Sequence, residues 1–207
     1  ANYPFCTIDP NVGRVAVPDD RLYKIAELTH SQKIIPTFLE IVDIAGLVRG
    51  ASKGEGLGNQ FLGHVRSVDA LIHLLRCFEN DDITHVEDSL DPVRDKEIID
   101  TELLLADIQS LEKQLESIEK KARSNSVDAK QERDVGKKIL ATLEQGIPAR
   151  KTLLSEEEKH IILPTFQLIT AKPILYVCNV NENEAAHGNA WTQKISALAQ
   201  QENSPCV

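Results

Sequence analysis

Thr37-Phe38-Leu39-Glu40-Ile41-Val42-Asp43-Ile44-Ala45-Gly46-Leu47, with Gly50-Ala51-Ser52-Lys53-Gly54-Glu55-Gly56-Leu57-Gly58 close behind, is the stretch whose reading decides the fold. Residues 37 to 42 alternate or run apolar as a buried strand does. That puts Asp43 at the carboxyl edge of a sheet, where α/β proteins place their ligands. A carboxylate there can hold Mg2+, usually through water. Gly46 lets its amide approach a terminal phosphate with no side chain in the way, and Gly50, Gly54, Gly56 and Gly58 let the loop behind it take shapes other residues resist. An ordinary Asp-containing turn after a strand is the competing reading. A bare Asp-x-x-Gly does not separate the two, whereas the whole run from 43 to 58 favours a nucleotide-responsive loop.

Two further apolar runs read as strands of a parallel core: Ala70-Leu71-Ile72-His73-Leu74-Leu75 and Ile174-Leu175-Tyr176-Val177-Cys178, the second aimed at Asn179. Between them the period changes. Leu104, Ile108, Leu111, Leu115, Ile118 and Ala122 recur at steps of four and three, the spacing of a coiled-coil seam. A polar break at Ser124-Asn125-Ser126 follows, and Val135, Ile139 and Leu143 form a second stripe that ends at Gly146 and Pro148. Two antiparallel helices are expected. Ser155-x-x-Glu158 has the form of a capping box that starts another helix, which Pro164 should kink or end. The organisation is therefore a split α/β domain, residues 1–98 and 171–207, interrupted by helices over 99–170.

The 207 residues are 42% hydrophobic and 27% charged, with no apolar run near bilayer length and no signal-peptide pattern. Cysteines at 6, 77, 178 and 206 form no Cys-x-x-Cys pair, and Cys77 and Cys178 lie in apolar runs, so buried reduced thiols in a cytosol are expected. The net charge of −9 argues against nucleic-acid binding over the whole surface. Residues 111–151 are the exception, with ten Lys and Arg against seven Asp and Glu. Solvated outer faces of a helical hairpin explain that excess; a docking arm is the functional alternative.

Tyr3-Pro4-Phe5-Cys6-Thr7-Ile8-Asp9-Pro10-Asn11, the run from Asp43 to Asn59, Arg76-Cys77-Phe78-Glu79-Asn80-Asp81-Asp82 with His85-Val86, and Asn179-Val180-Asn181-Glu182 stand in order and at spacings that resemble the YchF-type, or Obg-like, ATPases. The resemblance covers nearly the whole chain. It implies a P-loop NTPase, G-domain-like α/β fold with a mostly parallel sheet, interrupted by an inserted antiparallel coiled-coil hairpin. It also implies ATP and Mg2+ as ligands, ribosome association, a cytoplasmic monomer and no membrane. One part of the pattern is missing: no Gly-x-x-x-x-Gly-Lys-Ser/Thr phosphate loop occurs in the 207 residues. The resemblance would place that loop upstream of Ala1, and a further strand, base-contacting loop and TGS domain beyond Val207. The chain thus reads as an interior fragment, inactive by itself.

In related GTPases an Asn-Lys-x-Asp loop sets an aspartate to accept from N1-H and the 2-amino group of guanine. Here the loop is Asn179-Val180-Asn181-Glu182. Adenine offers a lone pair at N1 and no 2-amino donor, so a carboxylate at the guanine-reading position would repel it. One extra methylene can carry that carboxylate away. Val180 remains as a small apolar support for the base. Leu47 stands where many GTPases keep a water-orienting glutamine, and leucine can neither donate nor accept that bond. The resemblance points instead to His85, whose neutral imidazole could accept from water; the alternative is an ordinary surface-loop histidine, with a partner-supplied group or a bound monovalent cation such as K+ in that role. It also gives Thr7 the role of a Mg2+-binding threonine beside Asp43. Lys53 and Arg66 could pair with phosphate or ribosomal RNA, although exposed cations near a glycine loop are usually solvated, and His73 is read as a hydrogen-bonded core residue. Three functions follow: an ATPase switch at the ribosome, a non-catalytic nucleotide-responsive binding module, and a GTPase.

Overall fold

The computed structural model describes residues 11–44, 57–80, 89–123 and 126–207, which fall into two compact units divided near Gly46. The first is a β–α–β ribbon. Strand β1, Asn11–Ala16, pairs antiparallel with β2, Phe38–Asp43, from Asn11 opposite Asp43 to Ala16 opposite Phe38. Helix α1, Asp20–Thr29, joins them. It starts where the Asp19 carboxylate accepts from the Arg21 amide at 3.0 Å, and stops at His30, whose positive φ of 53° leaves the helical region. The expectation that residues 37–42 form a buried strand of the parallel core is corrected here. β2 pairs only with antiparallel β1 among the described residues, and both faces of the ribbon stay largely exposed. Apolar alternation specifies a strand; what covers it depends on neighbours remote in sequence.

The second unit holds the parallel pair. β3, Leu71–Arg76, runs beside β4, Ile174–Asn179, with Leu71 opposite Ile174 and Arg76 opposite Asn179. Helix α2, Leu57–Ser67, precedes β3, and α5, Ala190–Glu202, follows β4. Ile195 and Ala199 of α5 pack with Leu75, Cys77, Ile174 and Tyr176 into one core.

The intervening chain builds a second core of its own. Helix α3, Pro92–Ala122, begins where Asp91 accepts from the Val93 and Arg94 amides, and Pro92 gives up an amide that would have no helical partner. Helix α4, Val127–Glu144, returns after a Ser126 cap. Leu111, Leu115 and Ile118 of α3 meet Val135, Ile139 and Leu143 of α4, the two stripes legible in the sequence, with Phe166 and Leu168 closing the end. At Gly136 the helices approach so closely that a Cβ would lie 2.7 Å from Leu115 Cδ2. The capping box at Ser155 forms in both directions: the Ser155 amide donates to Glu158 at 2.7 Å, and the Glu158 amide donates to the Ser155 hydroxyl at 3.2 Å. The helix it opens is short. It widens to a π turn over Glu158–Ile162, tightens to 3₁₀ over Leu163–Phe166 around Pro164, and ends at Gln167 with φ of 50°.

Candidate nucleotide site

β3 and β4 end side by side, because the Cys77 amide donates to the Asn179 carbonyl at 2.7 Å. The chain therefore leaves the carboxyl edge of the parallel pair at Asn179. Val180 turns inward against the α5 core, which leaves the side chains of Asn179 and Glu182 exposed on either side of it. Glu182 opens a 3₁₀ turn, Glu182–Glu184, after an extended Asn181. With Val180 anchored inward, the exposed side chains of Asn179 and Glu182 leave an amide and a carboxylate free to meet a ligand edge.

Asn189, which sequence reasoning missed, holds this loop. Its side-chain amide donates to the Cys77 carbonyl at 2.7 Å, while its carbonyl oxygen accepts from the Trp191 and Thr192 amides at 3.0 and 3.1 Å. The Thr192 hydroxyl accepts in turn from the Asn189 amide at 2.8 Å. One residue thus caps α5 and ties it to the strand end. The signal was available, since Asn-x-x-Thr ahead of Ala190–Glu202 is a capping pattern. A cleft of about 530 Å³ opens behind the loop, lined in part by Cys178, Val180, Glu184, Gly188, Thr192 and Cys206.

A buried charge network underlies the same sheet. Lys96, 4% exposed, donates to Asp100 and to Glu202, each at 2.6 Å, and the Tyr176 hydroxyl donates to the other Glu202 oxygen at 2.7 Å. Burial works against the Lys96 ammonium, but the two carboxylates outweigh it and hold its pKa above the ordinary lysine value. Burial likewise opposes the Glu202 charge, and the Lys96 and Tyr176 hydrogen bonds bring that carboxyl below its usual range. Cys178 and Cys206, with sulfurs 3.9 Å apart, are pushed up to about 11 by burial, so both stay thiols at neutral pH. His73 is not the hydrogen-bonded core residue expected. Its Nδ1 finds no hydrogen-bond partner among the described residues, and the ring lies against Tyr176 with centroids 5.8 Å apart.

Of the other expected site residues, Asp43 ends β2 with an exposed side chain. Gly58 lies in the first turn of α2, so the helix begins inside the run read as loop. Thr7, Gly46, Leu47, Gly50, Gly54, Gly56 and His85 lie outside the described residues. No cluster of three metal-ligating side chains occurs among the described residues. Arg66, read as a solvated cation, is instead tied to backbone carbonyls of Ala106 and Gln167.

The family described as 50S ribosome-binding GTPase matches residues 1–179. The chain belongs to this family, in its YchF-type, Obg-like branch. It is 48% identical over its whole length to the ribosome-binding ATPase YchF of Bacillus subtilis (strain 168), and covers 57% of that protein. The likeness to Obg-like ATPase 1 of Oryza sativa subsp. indica is 44% identity over all of this chain and 52% of the rice protein. Among solved structures, the Schizosaccharomyces pombe YchF GTPase matches with a TM-score of 0.77 and 38% identity, covering 100% of this chain and 57% of that one. The chain accordingly has the P-loop NTPase fold, and spans little more than half the length of these relatives. Their names divide between ATPase and GTPase, so base choice has to be argued from residues 179–182.

Proposed function

We propose that the protein is an ATP-binding and ATP-hydrolysing switch that works with the ribosome in the cytosol. The observation that carries this is Asn179-Val180-Asn181-Glu182 at the carboxyl end of a parallel strand, with Val180 anchored and the Asn179 and Glu182 side chains exposed. By its resemblance to the Asn-Lys-x-Asp loop of related GTPases, the loop corresponds to a guanine reader with a longer carboxylate and no lysine stem, which favours adenine. Ribosome association is supported by the names of the curated relatives, among them the ribosome-binding ATPase YchF of Escherichia coli O157:H7 at 46% identity. Among the described residues no helix is long and apolar enough to cross a membrane.

Mg2+ suits the donors at hand: the Asp43 carboxylate is a hard oxygen ligand with open surroundings, and Thr7 adds a hydroxyl in this reading. The ion would neutralise charge between the outer phosphates. Residues 3–11 and 43–58 would take one arrangement with ATP and another after hydrolysis. Leu47 favours a second reading, a nucleotide-responsive binder with negligible turnover, because it cannot orient the attacking water. Competition binding at equal Mg2+ on the protein with a phosphate loop in place tests base choice: ATP should win, and a clear GTP preference overturns the reading. His85→Ala should lower kcat by about 10²- to 10⁴-fold with ATP affinity nearly intact. An unchanged kcat would hand the water-orienting role to another group.

A further inference from the structure

Arg66 lies near the carboxyl end of α2, the helix that continues directly from the glycine-rich run. Its guanidinium donates to the Gln167 carbonyl and to the Ala106 carbonyl of α3, each at 3.2 Å, and one nitrogen stands 3.7 Å from Asp107. Asp107, fully buried in α3, gathers the neighbouring segment. It accepts from the Ile169 amide at 3.0 Å, the Thr170 amide at 2.7 Å and the Thr170 hydroxyl at 2.8 Å. That hydroxyl also accepts from the Ala149 amide, just beyond α4. Lys172, two residues before β4, closes the junction by donating to the Arg66 carbonyl at 2.7 Å and to the Val68 carbonyl. The end of α2 is thus fastened to α3 and to residues 167–172 on the approach to β4.

The two charges are held unequally. Asp107 has three donors besides Arg66, so it stays satisfied if the guanidinium leaves. Arg66 keeps 22% of its side chain exposed and can return to water. The separable contact is therefore the fork from Arg66 to two carbonyls on different segments, which the planar guanidinium spans with two separate nitrogens where an ammonium has a single one. A helix of 11 residues, about 16 Å long, moves as a rigid body when its start is displaced. Such a movement must either drag α3 and residues 167–172 through the fork or break it.

We propose that Arg66 couples nucleotide state to the helical hairpin, the fork on Ala106 and Gln167 being closed in one state and released in the other. This rests on the functional reading above, in which the segment leading into α2 responds to ATP. The test is hydrogen exchange at residues 103–111 and 167–172 in the full-length protein, with ADP or a non-hydrolysable ATP analogue, for wild type, Arg66→Gln and Arg66→Lys. ATP affinity is measured in parallel by calorimetry. Wild type should show a difference of about fivefold or more between the two states, the scale of ordinary allosteric coupling. Arg66→Gln should nearly abolish that difference with ATP affinity unchanged, and Arg66→Lys, which keeps the charge and fits more gently if the Gln variant folds poorly, should lose about half of it or more. A wild type that binds no ATP sinks the functional reading and this inference together. A wild type that binds ATP but exchanges identically in both states sinks the inference alone. So does a variant that exchanges faster in both states yet keeps the full difference between them, which would mark Arg66 as structural only.

Discussion

Two two-stranded sheets of equal strand length meet opposite fates in this molecule. In the antiparallel ribbon Val12 is 61%, Val15 56% and Leu39 55% exposed. On the α5 face of the parallel pair Leu75 is 2%, Ile174 5% and Tyr176 0% exposed, while Ile72 at 53% and Leu74 at 63% leave its other face as open as the ribbon. The strands are similarly apolar, and the difference lies in their helices. α5 lays Ile195 and Ala199 against one face of β3 and β4, whereas α1 contributes no buried residue at all. A strand's apolar content makes it a strand; a helix laid over it makes it a core. The loop over residues 179–182 is accordingly built on the covered sheet, where Asn179 and Asn189 are held by contacts to the Cys77 backbone.

The comparison breaks most visibly if truncation costs the same in both places. Ile195→Ala, at a fully buried position, should destabilise the chain by about 2–5 kcal/mol in denaturant unfolding, the range for large core truncations. A cost near zero would mean that α5 does not make the core. A smaller effect concerns pH. Burial, opposed by Asp100, Asp95 and Glu202 and reinforced by Lys96, holds the His73 imidazole below the ordinary histidine pKa, with the Tyr176 ring against it. The native state therefore resists its protonation. The stability it contributes is present above about pH 6.5 and lost as pH falls through that value toward the depressed native one. Between about pH 7.5 and about pH 5.5 wild type should lose more melting temperature than His73→Asn does. Equal losses would show that His73 protonates freely in the fold. The smallest effect belongs to the ribbon: Leu39→Ala should change stability by less than about 0.5 kcal/mol. A loss comparable with Ile195→Ala would show the ribbon covered in solution.

Much of this was legible in the sequence. The α3 and α4 stripes were visible because a helical seam repeats every three or four residues, and the Ser155 capping box because its partners are three residues apart. Asn179 was placed at a strand end because a continuous apolar run points at it. The parallel pairing of β3 with β4 followed from the same kind of run. Burial of β2 was misjudged for the reason the two sheets differ. Gly58 was read as loop and lies in the first turn of α2, since glycine tolerates a helix as well as a loop.

Local order along the chain, from caps and stripes to the strand-end loop at Asn179, was determined by residues a few positions apart, whose spacing is written in the sequence. Only the tertiary structure decided that Lys96 would meet Glu202 across 106 residues, that Asp107 would be fully buried against Ile169 and Thr170, and that Arg66 would reach its neighbouring carbonyls. A charge looks the same in sequence whether it is solvated or buried. Its pKa, its partners and its work are settled by where folding carries it, because a buried charge persists only where other segments bring it donors or counter-charges.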